Sequence, residues 1–131
     1  IIKMKIGAAV PLEEELTITI KGRDYVQGLP RTAQVSTNEI VKALDKELRI
    51  MISAIKDVLA ETPPEIAADI IDDGIIMTGG SSQLRNLSDL VYRRTGVKAR
   101  VADEPLLCVA KGTGEALNHL DVYKKTILSK K

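Results

Sequence analysis

Two glycines followed by two serines, Gly79-Gly80-Ser81-Ser82, form the part of this sequence whose residue types could most directly hold a ligand. They follow the apolar run Ile75 to Met77, which predicts a strand buried on both faces, and they precede a polar sequence that predicts a helix start. At the carboxyl end of a parallel strand, glycines let the backbone approach a flat ligand, and the next helix offers free N–H groups. The spacing is consistent with a ligand-binding loop and also with a tight turn in which one glycine has positive φ. On spacing alone, the turn is favoured.

The glycines do not match a phosphate-binding fingerprint. No Lys-Ser/Thr pair follows Gly79-Gly80, as a P-loop requires, and the dinucleotide pattern G-x-G-x-x-G is absent there. Gly112-Thr113-Gly114 fails the same test, because the motif lies inside a predicted helix and no strand directly precedes it. We interpret the glycines of this second group as helix-packing contacts.

The remaining reactive side chains are assigned structural roles. Cys108 lies in an apolar run and is interpreted as a buried core thiol. The acidic pairs Asp72-Asp73 and Asp103-Glu104 are interpreted as solvated, and His119 falls in the last turn of a predicted helix without acidic or nucleophilic partners nearby. With a single Cys and a single His in the chain, we predict no metal site and no catalytic residue.

Composition predicts a single soluble domain. The chain has 131 residues, 44% hydrophobic and 28% charged, with a formal net charge of +1. Scattered cations and few aromatic rings argue against a nucleic-acid partner, and no apolar run is long enough to cross a bilayer. We therefore expect a cytoplasmic protein. The opening Ile1-Ile2-Lys3, without Met, suggests a piece of a longer chain, and the basic tail from Tyr123 to Lys131 is interpreted as a frayed end or a contact with an anionic surface.

The first half of the chain changes from strand to helix periodicity. Apolar alternation predicts strands over residues 2–6, 16–21 and 32–35. Ser36 and Glu39 then match the capping box that begins a helix, and an apolar stripe carries this helix to Pro63. Thr62 has the capping spacing again, with a proline at the first helical position of a short helix that Gly74 ends.

The second half alternates strand and helix. After the strand at residues 75–77, apolar positions from Leu84 to Val91 predict a helix that Gly96 ends as a left-handed cap. Residues 97–102 predict a strand whose Lys98 and Arg100 face outward, and Pro105 opens a final helix through residue 117. This order predicts an α/β fold with a parallel pair of strands.

Several separate motifs, found in the right order, resemble the C-terminal part of the MreB family of bacterial actins, including close paralogues such as Mbl. They are Lys21-Gly22-Arg23-Asp24, Gly28-Leu29-Pro30-Arg31-Thr32, the stretch from Glu61 to Asp72, Thr78-Gly79-Gly80, Leu84-Arg85-Asn86-Leu87, Glu104-Pro105-Leu106, Cys108-Val109-Ala110 and Gly112-Thr113-Gly114. The resemblance runs from Ile1 to about Tyr123. Sugar kinases and chaperone ATPases share the architecture, but the motifs around Pro63-Pro64 and Gly28-Leu29-Pro30 point to MreB among them.

The resemblance implies an α/β fold that is the incomplete second lobe of an actin-like ATPase, with a small β-rich subdomain at the N-terminus. By this likeness, residues 1–38 are part of the small subdomain and residues 39–104 form the large subdomain. Residues 105–131 are then the helix that returns toward the first lobe, followed by the basic tail.

The resemblance also implies a nucleotide site. Gly79, Gly80, Ser81 and Ser82 match the adenosine motif of the family, in which the glycine backbone packs against the adenine of ATP. Ile1 and Ile2 lie where the other nucleoside-contacting helix of the family ends. Ser81 replaces the usual third glycine and either narrows the adenine shelf or adds a hydroxyl, and Asp73 stands where relatives commonly have Arg. The phosphate loops and the acidic residues that position Mg²⁺ belong to an N-terminal part that is not in this sequence, so this segment alone is expected not to hydrolyse ATP.

For the whole protein, the resemblance implies a cytoskeletal role. Such a protein polymerises into filaments at the cytoplasmic membrane face and organises wall synthesis, which sets rod shape. The implied partners are further copies of the protein, the wall-elongation machinery, and the membrane either indirectly or through parts outside this chain. The alternative is a free-standing interaction module, derived from the same lobe, that needs no nucleotide.

Overall fold

The computed structural model describes the backbone of residues 1–128 and the side chains of residues 1–124. The helices are α1 Ile2–Ile6, α2 Thr37–Glu61, α3 Pro64–Asp73, α4 Leu87–Thr95, α5 Cys108–Asn118 and α6 Leu120–Leu128. The strands are β1 Thr17–Arg23, β2 Pro30–Ser36, β3 Ile75–Met77 and β4 Ala99–Val101, and a 3₁₀ helix covers Gly80–Gln83. No helix among these described residues is long and apolar enough to cross a membrane.

The strand predicted over residues 2–6 is wrong, because this segment forms helix α1. The Lys5 N–H donates to the carbonyl of Ile1 at 3.1 Å, and the Gly7 N–H donates to the carbonyl of Lys3 at 2.9 Å. Ile2 and Ile6 are four residues apart and therefore fall on one helical face, with Ile6 buried. Alternation over only five residues fits a single helical turn as well as a strand.

The other two strands of the first third form the predicted sheet. β1 and β2 pair antiparallel in a register from Thr17↔Ser36 to Arg23↔Pro30. In the connecting turn, the Asp24 carboxylate accepts from the N–H groups of Val26 and Gln27 at 2.9 and 3.0 Å. The pKa of Asp24 is held below its ordinary value. The largest cause is the hydrogen bond from the Gln27 N–H, followed by the Arg31 guanidinium and the bond from the Val26 N–H.

The predicted capping box at the start of α2 is confirmed. Ser36 Oγ accepts from the Glu39 N–H at 3.4 Å, and the Glu39 carboxylate accepts from the Ser36 N–H at 2.8 Å. Glu15 adds a third contact, since its carboxylate accepts from the Asn38 N–H at 3.4 Å, and a hydrogen bond with the Ser36 hydroxyl lowers the pKa of Glu15. Three side chains therefore satisfy the helix start that follows β2.

The second predicted cap, at Thr62, is wrong. The Thr62 hydroxyl donates back to the carbonyl of Val58 at 2.7 Å and so belongs to the end of α2. Because Pro64 is the first residue of α3, the cap position falls on Pro63, which has no side-chain acceptor. The end of α3 is as predicted, with Gly74 at φ 81.

The parallel pair of strands is confirmed. β3 and β4 pair in the register Ile75↔Ala99 and Met77↔Val101, and α4 ends at Gly96 in the left-handed conformation. The expectation that β3 is buried on both faces is wrong for this chain, because Ile76 is 54% exposed. Among the described residues, β4 is the strand that pairs with β3, so one edge of β3 has no strand beside it.

The end of the chain departs from the predicted single helix. A turn, in which the Leu107 N–H donates to the carbonyl of Glu104 at 2.8 Å, precedes α5, which begins only at Cys108. α5 ends at His119, whose backbone is not helical (φ −124, ψ 43), and α6 follows. Lys130 and Lys131 of the basic tail lie outside the described residues.

Two interpretations of α5 residues also change. A Cβ placed on Gly112 or Gly114 would meet no atom within 4 Å in the described chain, so these glycines make no helix-packing contact here. Cys108 is half-buried and not a core thiol. The buried residues instead lie at the end of α1 and just after it, in α2, in the 3₁₀ helix, in α4 and just after α4: Ile6, Ala8, Ala9, Thr37, Ile52, Ser82, Leu87, Val91 and Val97.

Replacing Ser36 with Ala is expected to lower the free energy of unfolding by about 1 kcal/mol, because the α2 start loses its capping acceptor. Denaturant unfolding of the chain, followed by circular dichroism, measures this change. Ser53→Ala is the matched control, since Ser53 is exposed on the same helix and makes no side-chain hydrogen bond within the described residues. Equal stability of the Ser36→Ala and Ser53→Ala chains would contradict the role of the cap.

Candidate functional site

The glycine loop, residues 78–82, begins with a backbone conformation that only glycine adopts without strain. Gly79 has φ 81 and ψ 170, and its N–H donates to the carbonyl of Pro105 at 2.8 Å. The Ser82 hydroxyl donates to the carbonyl of Gly79 at 2.6 Å, and Ser82 is only 5% exposed. Two of the four predicted binding residues therefore brace the loop, with the Ser82 hydroxyl turned to its own backbone.

The other two predicted residues, Gly80 and Ser81, lie at the surface of the loop. Both are exposed, and they begin the 3₁₀ helix, whose first N–H groups have no partner within a helix. A Cβ placed on Gly80 would lie 3.2 Å from Leu106 Cδ2, so a side chain here would crowd the neighbouring segment. The absence of a side chain at Gly80 keeps this surface open.

A cleft of about 580 Å³ separates the glycine loop from α1. Its lining residues come from α1, from the loop and from the segment before α5: Lys3, Met4, Gly7, Gly80, Ser81, Gln83, Leu84, Arg85 and Leu106. This volume lies in the range of small-molecule sites. Three further clefts in the described part of the chain, of about 520, 390 and 340 Å³, lie elsewhere and include no residue of the glycine loop.

Arg85 holds the two walls of this cleft together. Its Nη1 donates to the carbonyl of Lys5 at 2.7 Å and to that of Gly7 at 3.4 Å. Its own carbonyl accepts from the Ala9 N–H at 2.8 Å, within a parallel bridge between Ala8 and Arg85. The guanidinium thus satisfies carbonyls at the end of α1 that lack helical partners.

The cleft combines apolar surface with positive charge. Met4, Leu84 and Leu106 supply the apolar part, which suits the face of a flat ring. Lys3 and Arg85 are the charged residues of the lining, and no carboxylate is among the lining residues that the structure describes. The charge of the cleft therefore favours an anionic ligand over a cationic one.

Sequence reasoning missed Lys3, Met4 and Arg85 as cleft residues. Apolar alternation predicts a strand for the segment of Lys3 and Met4, and a strand does not indicate the helical wall of the cleft. In the sequence Arg85 is part of a family motif only, because its partner carbonyls lie 78 and 80 residues away. No local pattern signals an interaction of that separation.

The other candidate residues lie outside the cleft. Cys108 Sγ is 3.7 Å from the carbonyls of Asp103 and Glu104. The expectation that His119 lacks an acidic partner is wrong, since its Nε2 lies 2.9 Å from Glu115 Oε1. In the part of the chain that the structure describes, no group of three or more potential ligand residues is placed to hold a metal ion.

Comparison with known proteins links the chain to one family. The model of the MreB/Mbl protein family matches residues 1–125. The cell shape-determining protein MreB of Escherichia coli (strain K12) is 41% identical over 128 residues, which cover 98% of this chain and 37% of that protein. The cell shape-determining protein Mbl of Bacillus subtilis (strain 168) is 43% identical over 128 residues, covering 98% of this chain and 38% of Mbl. The chain thus spans well under half the length of these relatives.

Solved structures give the same relation. The crystal structure of MreB5 of Spiroplasma citri bound to ADP matches 98% of this chain and 38% of its own, with a TM-score of 0.84 and 32% identity. The structure of that protein bound to AMPPNP matches 97% of this chain and 38% of its own, with a TM-score of 0.84 and 31% identity. The predicted fold class, an incomplete part of an actin-like α/β fold, is confirmed.

Replacing Arg85 with Ala is expected to loosen α1, because the carbonyls of Lys5 and Gly7 lose their charged donor. Amide hydrogen exchange at the N–H groups of Lys5 and Gly7 should accelerate about five- to tenfold, the effect of one exposed, charge-assisted hydrogen bond. Arg93→Ala serves as the control, since Arg93 is exposed on α4 and its side chain makes no hydrogen bond within the described residues. Unchanged exchange in the Arg85→Ala chain would refute the bridging role.

Proposed function

The chain belongs to the MreB/Mbl protein family, and from this premise we propose that it supplies the adenine side of a nucleotide pocket in an actin-like cytoskeletal protein. The observation that carries this proposal is the cleft between α1 and the glycine loop, which has a side-chain-free position at Gly80 and two cations. The ligand proposed for this cleft is ATP or ADP. Two crystal structures of one similar protein, MreB5 of Spiroplasma citri, are bound to ADP and to AMPPNP, which supports the assignment.

Each residue of the loop has its own proposed role. The backbone of Gly79 and Gly80 packs against the adenine ring, because a side chain at Gly80 would occupy the space beside Leu106. The Ser81 hydroxyl is exposed and available as a hydrogen-bond partner. Ser82 is a positioning residue, since its hydroxyl fixes the carbonyl of Gly79.

The charged residues of the cleft are assigned to the anionic part of the nucleotide. Lys3 and Arg85 give a positive potential that attracts phosphates, although Arg85 is also engaged with the end of α1. The cleft lining offers no carboxylate for Mg²⁺, so the residues described here do not fit that ion. Clamping of the phosphates and of Mg²⁺ is assigned to the portion of the relatives that lies outside the overlap.

For the whole protein we propose self-association into filaments that act in cell shape, together with the wall-elongation machinery at the cytoplasmic face of the membrane. The support is the kinship with proteins described as cell shape-determining. We retain the division into residues 1–38, 39–104 and 105–131 as the proposed subdomain plan. The second candidate function is that of an interaction module. In that case the cleft would bind no nucleotide.

Replacing Gly80 with Val in a full-length protein that carries this chain is expected to weaken ATP binding about tenfold or more, because the added methyl groups occupy the cleft beside Leu106. Gly79→Val should weaken binding as well, by forcing a β-branched residue to φ 81. Calorimetric titration with ATP measures both affinities.

Gly22→Val is the control for these two substitutions, since a Cβ at Gly22 meets no atom within 4 Å in the described chain and Gly22 lies outside the cleft. Unchanged ATP affinity in both loop variants would remove the glycine loop from the nucleotide site.

The chain by itself is expected to release no phosphate from ATP above the buffer rate, because no described residue of the cleft can clamp a phosphate together with Mg²⁺. A phosphate-release assay with and without Mg²⁺ checks this, with a full-length family member assayed in parallel. A Mg²⁺-dependent rate from the chain alone would contradict the assignment of catalysis to the remaining portion.

A further inference from the structure

A second cleft, of about 340 Å³, runs along one face of α2 and shares no residue with the cleft of the glycine loop. We call it the α2 groove. One wall is a stripe of α2 at helical spacing: Val41, Asp45, Leu48, Arg49, Ile52, Ser53 and Lys56. The other wall consists of residues 9–11 together with Leu90 and Arg94 of α4. At 1.5 Å per residue, the stripe from Val41 to Lys56 is about 22 Å long.

The interior of the α2 groove is apolar and its rim is cationic. Val41, Leu48, Ile52 and Leu90 line the interior and are buried or half-buried. Four charged residues line the rim. Asp45 pairs with Arg49 at 2.8 Å, so these two charges largely cancel.

The remaining two charges of the rim are positive and unmatched. Lys56 and Arg94 are exposed and form no ion pair with any residue that the structure describes. Lys56 lies at the C-terminal end of the α2 stripe and Arg94 lies in the last turn of α4, so each of the two walls of the groove carries one unpaired positive charge.

We propose that the α2 groove docks an acidic amphipathic helix of a partner protein. A straight apolar groove beside a helix is the surface that accepts a partner helix with apolar residues at i, i+3, i+4 and i+7. A length of about 22 Å corresponds to a helix of about 15 residues. Acidic side chains flanking the apolar stripe of that helix would meet Lys56 on one wall and Arg94 on the other, so charge sets the partner class.

A second copy of this chain fits the α2 groove less well. α3 is acidic and exposes Ile66 and Ile71, but with 10 residues it spans about 15 Å and leaves part of the groove open. α5 has 11 residues and is also shorter than the groove. α6 has 9 residues and carries Lys124 at its middle, which would repel the groove cations. A longer, acidic helix from another protein satisfies both length and charge.

Two synthetic peptides of 16 residues, roughly the groove length, test this proposal with the full chain. The acidic probe has Leu at i, i+3, i+4 and i+7 and Ala or Glu elsewhere, and the basic probe has Lys in place of every Glu. Fluorescence anisotropy of labelled probes at physiological salt measures their affinities. We expect the acidic probe to bind about tenfold or more tighter than the basic one. Equal binding of the two probes, or no binding of either, would overturn the proposal.

Charge-reversal variants locate the binding. Lys56→Glu and Arg94→Glu should each weaken the acidic probe about tenfold. Lys46→Glu on α2 and Arg93→Glu on α4 are the matched controls, because both residues are exposed and lie outside the groove lining. Arg93 and Arg94 share the last turn of α4, so effects on the helix end are the same in the two variants. Equal losses in the groove and control variants would reduce the interaction to general charge attraction and overturn the proposal.

Two further measurements separate other occupants from the proposed one. Sedimentation of the chain without peptide tests a second copy: self-association that Arg94→Glu abolishes would assign the groove to the chain itself and overturn the proposal. Flotation with vesicles of phosphatidylcholine and phosphatidylserine tests a lipid surface: vesicle binding that depends on Lys56 and Arg94 would assign the groove to lipid and overturn it. The proposal is supported if the chain is monomeric, does not bind vesicles and binds the acidic probe selectively.

Discussion

The contact between Arg85 and the end of α1 is the constraint on which the candidate site depends. It joins segments that are 76 to 80 residues apart in sequence, through the carbonyls of Lys5 and Gly7 and the N–H of Ala9. Because α1 has five residues, it is too short to be stable without tertiary contacts. This junction sets the spacing between α1 and the glycine loop, and therefore the width of the cleft. The buried residues that follow α1 lie beside it.

Features set by local chemistry could be predicted from the sequence, and features set by distant partners could not. The capping box of Ser36 and the glycine end of α4 follow from residues within a few positions of one another. The parallel pair of strands follows from the order strand, helix, strand along the chain. The helix α1 was mistaken for a strand because a five-residue alternation fits both periods. The exposure of Ile76 was missed because an apolar run does not say how many neighbouring strands are present to cover it.

The candidate site divides in the same way. The glycine pattern and the family motifs located Gly79 to Ser82, and the structure places Gly80 and Ser81 on one wall of a cleft. The opposite wall, with Lys3 and Met4, and the bridging Arg85 came only from the three-dimensional arrangement. Ser82 was predicted as a binding residue, while its hydroxyl in the structure is bonded to Gly79; whether it also contacts a ligand stays a prediction. The α2 groove combines residues from three segments and has no motif of its own.

The most direct test of the adenine assignment is a set of intermolecular nuclear Overhauser effects between ADP and the chain with ¹³C-labelled methyl groups. The proposed site predicts contacts from the adenine H2 and H8 protons to the methyls of Met4 and Leu106, which line opposite sides of the cleft. Contacts only to methyl groups of the α2 groove, such as those of Leu48 and Leu90, or no contacts at millimolar ADP, would contradict the account.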